Sequence, residues 1–458
     1  MKHPSRWTRS RFLMILGVGA YVFTFSTLYI YVLEPLWAYL GFAFEPSSRE
    51  YLVAGFILAL APALWMPVAL ERPSQFVYWI LYVVVVIPAA LIPDWVHTAD
   101  PPGMLLFQIA LVGLFISLGF VHRLPLLRMP HVRVGRSIFW LAFIILSAAT
   151  TLVIVRTFEL RLVSLEEVYS LRSGYREKLA LEGNYLAYLV AWQGNVFNPF
   201  LLALGLIRKK LVPFCLGFVG QVLIYSVTGF KSVVFAVLLL VLVLVATRDG
   251  GRRFGVKITW GLVLMLATAG AVHLWLGFPI PLALLGARTL GMPGLLTAHY
   301  YDFFSTHPFA FLADSAFKPF LIYPYGSSIP NLIGELYFGN HETFANAHLW
   351  ADAYANFGYV GLVVFSALLA FTFLVADSVA KRHDLRFAIL LFGIPAFSLA
   401  NSAFLTCLVS HGILLALLLL YFAPSFGPTA MPADYHALAS DVVAIKRRSV
   451  FSAIWTGR

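Results

Sequence analysis

Charged residues are scarce in this 458-residue chain: Asp, Glu, Lys and Arg together make up 12% of it, and hydrophobic residues make up 60%. Soluble domains carry about 25% charged residues. A surface with so few charges cannot be exposed to water over its whole area. The composition therefore excludes a soluble globular enzyme and predicts a protein embedded in lipid.

Cysteine is nearly absent as well, because only Cys215 and Cys407 are present and both lie inside apolar runs. This excludes a disulfide framework and a cysteine-based metal site. The sequence has no Walker-type phosphate loop and no H-E-x-x-H motif, and His299, His307 and His341 lack the spacing of zinc ligands. We therefore expect no metal and no cofactor.

Long apolar runs are abundant, and many reach the roughly 20 residues that cross about 30 Å of hydrocarbon as a helix. The expected fold class is an all-α polytopic integral membrane protein with about 12 transmembrane helices in a single transmembrane domain, residues 1–458. The predicted spans are residues 12–33, 49–70, 76–93, 104–121, 137–155, 184–206, 211–227, 232–247, 257–276, 358–376, 387–403 and 405–423.

The net charge of +11 comes from basic residues scattered between the apolar runs, which disfavours a nucleic-acid partner. Most of them fall in alternate loops and in the two tails. The positive-inside rule then predicts a cytoplasmic N-terminus and a basic cytoplasmic tail at residues 424–458. Two long segments, residues 156–183 and 277–357, are predicted on the opposite side, where function is expected.

Nine basic residues lie on the side that the rule disfavours. They are Arg49, Arg156, Arg161, Arg172, Arg176, Lys178, Lys231, Arg288 and Lys318.

In the first long segment, Ser164-Leu165-Glu166-Glu167 is a capping box that predicts a helix ending near Gly183. Arg172 and Arg176 are one turn apart on that helix, so two guanidinium groups could bind one diphosphate. Salt bridges to Glu166, Glu167 or lipid headgroups are the alternative. Lys231, at the end of a very apolar helix, either snorkels to the membrane surface or meets an anion.

The second long segment carries the remaining candidates. Tyr323 and Tyr325 lie in a turn-forming stretch, and their aromatic rings are suited to stacking on sugars. Tyr301 and Trp350, on either side of this stretch, are further candidates for sugar binding. In a helix Asp352 lies one turn from His348 and could orient its imidazole as a general base, although a hydrogen-bonded structural histidine is the equal alternative.

Three local patterns carry a resemblance. Arg172 and Gly183 have the R-x(10)-G spacing, Thr228-Gly229-Phe230-Lys231-Ser232 contains a Gly-x-Lys-Ser turn, and Asn346 and His348 precede Phe357-Gly358-x-x-Gly361. Together with the span layout, these patterns make the chain resemble bacterial O-antigen polymerases of the Wzy type and, more broadly, O-antigen ligases. Arg288 stands where the family carries an arginine, but His299 replaces the glycine eleven residues later.

The resemblance implies a GT-C-like fold in the bacterial inner membrane and two large periplasmic loops. It implies transfer of a growing glycan from undecaprenyl diphosphate to the terminal sugar hydroxyl of another undecaprenyl-diphosphate-linked repeat unit, with a chain-length regulator as a further partner. Arg172, Arg176, Lys231 and Arg288 would stabilise the leaving diphosphate. His348 would be the general base, with Asp302 and Glu335 as substitutes. An O-antigen ligase and an anion transporter are the alternatives.

Overall fold

The computed structural model describes residues 6–130, 132, 134–161, 168–183, 185–229, 231–315 and 320–425, and within them it contains helices and no β-strand. The all-α prediction is therefore confirmed for these residues. The helices are α1 (Thr8–Leu40), α2 (Arg49–Leu60), α3 (Pro73–Asp94), α4 (Pro101–Arg123), α5 (Arg136–Thr157), α6 (Val168–Glu182), α7 (Tyr185–Arg208), α8 (Leu211–Thr228), α9 (Lys231–Ala246), α10 (Phe254–Leu276), α11 (Ile280–Phe304), α12 (Ile329–Phe338), α13 (Leu349–Ala380), α14 (Leu385–Ala400) and α15 (Phe404–Phe422).

Ten of these helices are long and apolar enough to cross a membrane: α1, α3, α4, α5, α7, α8, α10, α11, α13 and α15. The polytopic character is thus confirmed. Two shorter apolar helices, Val237–Ala246 within α9 and α14, coincide with two further predicted spans, and α2 covers the first half of a third. The exact number of crossings and the GT-C-like arrangement stay predictions. The predicted basic tail lies almost wholly beyond residue 425, outside the described residues.

Contacts along the helices establish their relative directions. Trp260 of α10 donates to the Leu13 carbonyl of α1 over 3.1 Å, and further along Gly270 packs against Leu28. Because both residue numbers increase together, α1 and α10 are parallel. Tyr21 of α1 likewise donates to the Val83 carbonyl of α3 over 2.7 Å, which places α3 at the same level and beside them.

The next helix runs the opposite way. Tyr78 of α3 donates to the Phe115 carbonyl of α4 over 3.1 Å, and Gln108 of α4 donates to the Ala90 carbonyl of α3 over 3.3 Å. Chains of such pairs divide the connecting segments between two faces. Of the described residues, we call 41–48, 95–100, 158–161, 168–183, 277–279, 305–315 and 320–345 the loop face, and 65–72, 124–130, 132, 134–135, 208–210, 247–253 and 381–384 the basic face.

Two clusters of basic residues mark one of these faces. The basic face carries the cluster Arg208-Lys209-Lys210 and the pair Arg252-Arg253, whereas α6 and residues 305–315 and 320–345 of the second long segment lie at the loop face. Between the faces, large apolar side chains such as Ile138, Leu141 and Ile144 of α5 point outward and are 60% to 64% exposed. Outward apolar side chains over a whole span are typical of a lipid-facing helix.

Helix α13 consists of two antiparallel arms. Its backbone leaves helical geometry at Phe357 and at Gly358, where φ is 58° and ψ is −142°. On either side of that turn, Trp350 donates to Ser366 Oγ over 2.9 Å, and Gly361 packs directly on Ala353. Residues 349–356 therefore run toward the loop face and residues 359–380 return from it across the bundle. Aromatic pairs with α4 agree, because Tyr354 meets Phe107 nearer the loop face and Trp350 meets Phe115 deeper in the bundle.

Helix α11 belongs to the predicted second loop, and its length makes it a candidate span, but its contacts keep both ends at the loop face. It begins three residues after Gly277, the C-terminal cap of α10. Near its other end Tyr301 donates to Asp100 over 3.1 Å, and Asp302 accepts from the Ala99 amide over 3.3 Å. Its middle packs against α3, since Gly294 touches the Pro88 carbonyl. The middle of α11 is therefore packed into the bundle, and the helix ends at the loop face.

The two faces predict the outcome of cysteine labelling. In a Cys215→Ser background, which leaves the buried Cys407, Lys178→Cys and Glu342→Cys should react with a membrane-impermeant maleimide from one side of sealed vesicles. Lys209→Cys should react only from the other side. Labelling of Glu342→Cys and Lys209→Cys from the same side would contradict the arrangement.

The close approach of the two arms predicts a stability difference between two glycines. A Cβ at Gly361 would lie 2.1 Å from the Ala353 carbonyl oxygen, whereas a Cβ at Gly113 of α4 meets nothing within 4 Å. We expect Gly361→Ala to cost about 1–3 kcal/mol. Gly113→Ala should be neutral or stabilising, because glycine costs roughly 0.5–1 kcal/mol within a helix. Thermal unfolding in detergent measures both, and equal effects would argue against the hairpin.

Candidate active site

A cavity of about 170 Å³ lies at the meeting point of the first arm of α13, the segment before α12, and the turn between α14 and α15. Its lining combines carboxylate, amide and hydroxyl groups with apolar side chains. The lining residues are Tyr300, Leu312, Asp314, Ser315, Ile329, Pro330, Asn346, Ala347, Asp352, Asn356, Ser402, Ala403, Leu405 and Thr406. Asn346 is exposed and stands at the rim on the loop face.

The segment after α11 forms one wall and is fastened to the end of the first arm. The Ala310 amide donates to the Ala355 carbonyl over 3.0 Å, and the Leu312 amide donates to Asn356 Oδ1 over 2.8 Å. Phe311 and Leu312 have φ values of 50° and 63°. Such left-handed conformations are rare outside glycine, and they persist only where surrounding contacts enforce them. The wall is thus held in a fixed shape beside the cavity.

Two carboxylates face this cavity, Asp314 and Asp352. Asp314 Oδ2 accepts from the Ile329 amide over 2.9 Å and so also fixes the start of α12. Asp352 follows His348 by one helical turn, and its backbone carbonyl accepts from Asn356 Nδ2 over 2.9 Å. Asp352 is thus held in the lining of this partly enclosed space.

His348 lies fully buried at the base of the first arm, and its imidazole caps the helix. Nδ1 is 3.2 Å from the Trp350 amide and 3.4 Å from the Ala351 amide, both of which donate to it. Nε2 is 2.8 Å from Thr297 Oγ1, whose hydroxyl donates to the Pro293 carbonyl. These bonds require a neutral ring with the proton on Nε2. The nitrogen lone pair that a general base would use is engaged by backbone amides, and Asp352 makes no hydrogen bond to the ring.

Asp302 and Glu335, the two carboxylates predicted as substitutes for His348, lie elsewhere on the loop face. Asp302 accepts from the Ala99 amide and from Tyr337 over 2.7 Å. Burial and this carboxylate raise the pKa of Tyr337 above its usual value, so the phenol keeps its proton. Glu335 is exposed and pairs with His341 at 3.0 Å. Neither Asp302 nor Glu335 lines the cavity.

The helix predicted from the first long segment is present as α6, and it ends at Glu182, just before Gly183, whose φ is 111°. Its predicted capping residues 164–167 lie outside the described part of the chain. Arg172 Nη2 donates to the Gly229 carbonyl over 3.2 Å, and the Arg176 guanidinium lies 5.0 Å from the centre of the Phe344 ring. The helix thus connects the Gly229 turn with the segment that leads to the cavity rim.

Tyr175 anchors α6 between these two arginines. Its ring is buried against Phe158 at a centroid distance of 5.2 Å, in a cluster with Ile224 and Val227 of α8. Burial raises the pKa of Tyr175 to about 12. Lys231 begins α9 just after the Gly229 turn, and its side chain lies outside the described residues. The structure therefore brings together Arg172, Arg176 and the backbone of Lys231.

Arg288 is placed differently. It is exposed in the π-helical stretch of α11, Ala283–Gly291, which packs against Tyr29–Leu33 of α1 and Tyr82–Val86 of α3. Arg172 and Arg176, in contrast, sit beside α8. The described contacts of Arg288 therefore do not connect it with the other predicted diphosphate ligands.

The four aromatic residues predicted to bind sugar have different surroundings. Trp350 is fully buried and donates to Ser366, and Tyr301 is buried and donates to Asp100. Tyr323 donates to the Ser327 carbonyl, and Tyr325 donates to the Pro308 carbonyl. Burial, and then the charge of Asp314, raises the pKa of Tyr323. Only the partly exposed Tyr323 and Tyr325 present ring surface at the loop face, so burial disfavours the sugar-binding role of the other two.

The sequence did not single out Asp314, Ser402 or Thr406 as site residues. Asp314 stands in a turn without periodicity, and Ser402 and Thr406 belong to a predicted pair of adjoining spans. Helix α14 is short, so the turn after it stops within the bundle and supplies these hydroxyl groups to the cavity. The short, polar connection Asn401-Ser402 between two apolar runs was the available signal.

The capping role predicts how substitutions of His348 affect stability. His348→Ala should destabilise the folded chain by about 1–3 kcal/mol, because buried amides and Thr297 lose their partners. His348→Asn should recover much of this loss, because asparagine is a preferred helix cap and its amide oxygen can replace Nδ1. Thermal unfolding of the purified variants measures the difference. Equal losses for both variants would contradict the capping role.

Comparisons with known proteins do not assign this chain. No protein-family model, no curated protein and no solved structure matches it. The function must therefore be argued from the residues of this chain and their geometry.

Proposed function

We propose that the chain is a membrane glycosyltransferase that polymerises lipid-linked glycans. In the proposed reaction, a growing glycan passes from undecaprenyl diphosphate to the terminal sugar hydroxyl of another undecaprenyl-diphosphate-linked repeat unit. The observation that carries the proposal is the position of the segment that gives the resemblance. Residues 346–356 place Asn346, Asp352 and Asn356 in the lining of a cavity at the loop face.

The first chemical requirement is a base for the attacking hydroxyl. The hydroxyl oxygen forms a bond to the anomeric carbon of the donor glycan, and its proton must move to an acceptor. Asp352 fits this role better than His348, because its carboxylate lines the cavity whereas both nitrogens of His348 are engaged. Asp314 is the alternative acceptor, although one of its oxygens already receives the Ile329 amide.

The second requirement is stabilisation of the leaving group. As the bond between the anomeric carbon and the diphosphate oxygen breaks, the electron pair stays on the diphosphate, and fixed cations lower the energy of that charge. Arg176 lies against Phe344, two residues before Asn346 at the cavity rim. Arg172 is one helical turn away on α6. An arginine pair of this kind suits the two phosphates of the carrier.

The size and position of the cavity suit only the reacting end of a larger substrate. Its volume of about 170 Å³ is small beside the roughly 300–1,000 Å³ of drug-sized ligand sites. A terminal sugar could enter while the remaining glycan stays in water and the carrier lipids stay in the membrane. Holding both ends in place would supply much of the rate by proximity. With the loop face periplasmic, the basic face meets the positive-inside rule.

The proposal predicts the surface glycans of a deletion strain complemented with variants. Wild type should restore a ladder of glycan lengths. Asp352→Asn and Arg176→Gln should each lower the glycan yield by about 100-fold or more, since they remove the base and a leaving-group cation. Asp249→Asn at the basic face and Lys178→Gln on α6 are matched controls that should retain the ladder. Gel electrophoresis of surface glycans, with immunoblots for membrane level, measures the result.

Each pattern of surface glycans in the deletion strain identifies a different function. A lipid A core with one repeat unit and no ladder identifies a polymerase. Complete loss of capping identifies an O-antigen ligase instead. A ladder that is unchanged by the deletion removes both transferase assignments and leaves transport to be tested. A full ladder with Asp352→Asn would exclude that carboxylate as the base while leaving the polymerase assignment intact.

A further inference from the structure

An apolar groove of about 350 Å³ lies between α8 and α9. It is lined by Phe218, Gln221 and Val222 of α8 and by Val237, Leu238 and Val241 of α9. Phe218 and Leu238 are 45% and 52% exposed at its edges. Since the exposed side chains around it, such as Val219 and Leu242, are apolar, the groove opens toward lipid rather than water.

One end of the groove points to the Gly229 turn. Val222 precedes Gly229 by seven residues, which corresponds to about 10 Å along a helix. Gly229, whose φ is 61°, caps α8, and its carbonyl accepts the Arg172 hydrogen bond. A guanidinium group is therefore fixed at the loop face directly above the two helices that form the groove.

The floor of the groove is held in place by Gln221. This side chain is 1% exposed, and its Nε2 donates to the Gly194 carbonyl of α7 over 2.8 Å. On another side of α8, Ile224 and Val227 pack against Tyr175 of α6. These contacts keep α8 fixed relative to α7 and α6, so the groove does not depend on a ligand for its shape.

We propose that this groove binds the polyisoprenyl chain of a lipid diphosphate whose headgroup lies at the Gly229 turn beside Arg172. A long apolar chain suits the lining, and an anionic headgroup suits a guanidinium group at the membrane surface. Three side chains from each helix line a volume of about 350 Å³, which suits a segment of one extended chain. The inference rests on the proposed function, and it names which helices hold one of the two lipid carriers.

Photocrosslinking tests the site on the full-length protein. The purified chain is placed in phosphatidylcholine nanodiscs with a polyisoprenyl diphosphate that carries a diazirine in its chain, and labelled peptides are mapped by mass spectrometry. Labelling should concentrate in α8 and α9. Val222→Trp, which fills the groove, should reduce it by about tenfold. Val219→Trp is the matched control, because Val219 is 62% exposed outside the groove and its replacement should leave labelling unchanged.

Competition and activity separate the possible outcomes. Unlabelled polyisoprenyl diphosphate should displace the probe, and excess phosphatidylglycerol should not. Labelling spread evenly over all spans, equal competition by phosphatidylglycerol, or equal labelling of the two tryptophan variants would overturn the proposal. Groove labelling in a chain that makes no polymer would leave the site standing and overturn the polymerase assignment. A normal glycan ladder with Val222→Trp would overturn the groove as the carrier site and leave the polymerase assignment standing.

Discussion

A helix that begins inside a protein must find partners for its first amide groups, and the arrangement of the site depends on how the first arm of α13 meets this requirement. Trp350 and Ala351 donate to His348, and His348 in turn is held by Thr297 of α11. Without an internal cap, the buried amides would cost free energy comparable to that of lost hydrogen bonds. The cap allows the chain to start a helix deep in the bundle.

The hairpin follows from that start. The arm can run back toward the loop face because Gly358 adopts a positive φ at the turn, and Gly361 lets the two arms touch. Asp352 and Asn356 then face a space that the short helix α14 leaves open. The wall of residues 310–315 closes that space through backbone bonds to Ala355 and Asn356. A cavity with two carboxylates results from these local requirements.

The charges of the site are separated in a way that suits transfer from a diphosphate. Asp314 and Asp352 line the enclosed space, whereas Arg172 and Arg176 lie on a surface helix outside it. Carboxylates in a partly enclosed space interact more strongly with a bound hydroxyl than they would in bulk water. Arginines at the surface can meet a carrier headgroup that remains at the level of the membrane interface. The two halves of the proposed reaction thus have separate sets of residues.

Hydropathy predicted the apolar helices, and helical periodicity predicted α6 with its two arginines, because both depend on local sequence. The interruption of the helix before the span that begins at residue 358 was also predictable from Gly358. The depth of His348 and Trp350 in the bundle was not predictable, because the composition of residues 349–356 suits either the protein surface or its interior. The direction of an arm is decided by distant contacts such as that between His348 and Thr297. Asp314 joins the site for the same reason, through a fold of the chain that no local pattern reveals.

We propose that transfer occurs at the cavity and depends on the Asp352 carboxylate. The most direct measurement uses the purified chain in nanodiscs with a synthetic undecaprenyl-diphosphate-linked repeat unit, and follows product length and released carrier by mass spectrometry. Wild type should form lipid-linked oligomers and release one undecaprenyl diphosphate for each new bond. Asp352→Asn should bind the substrate but form product at least about 100-fold more slowly. Oligomer formation at the wild-type rate by Asp352→Asn would show that transfer does not depend on this carboxylate.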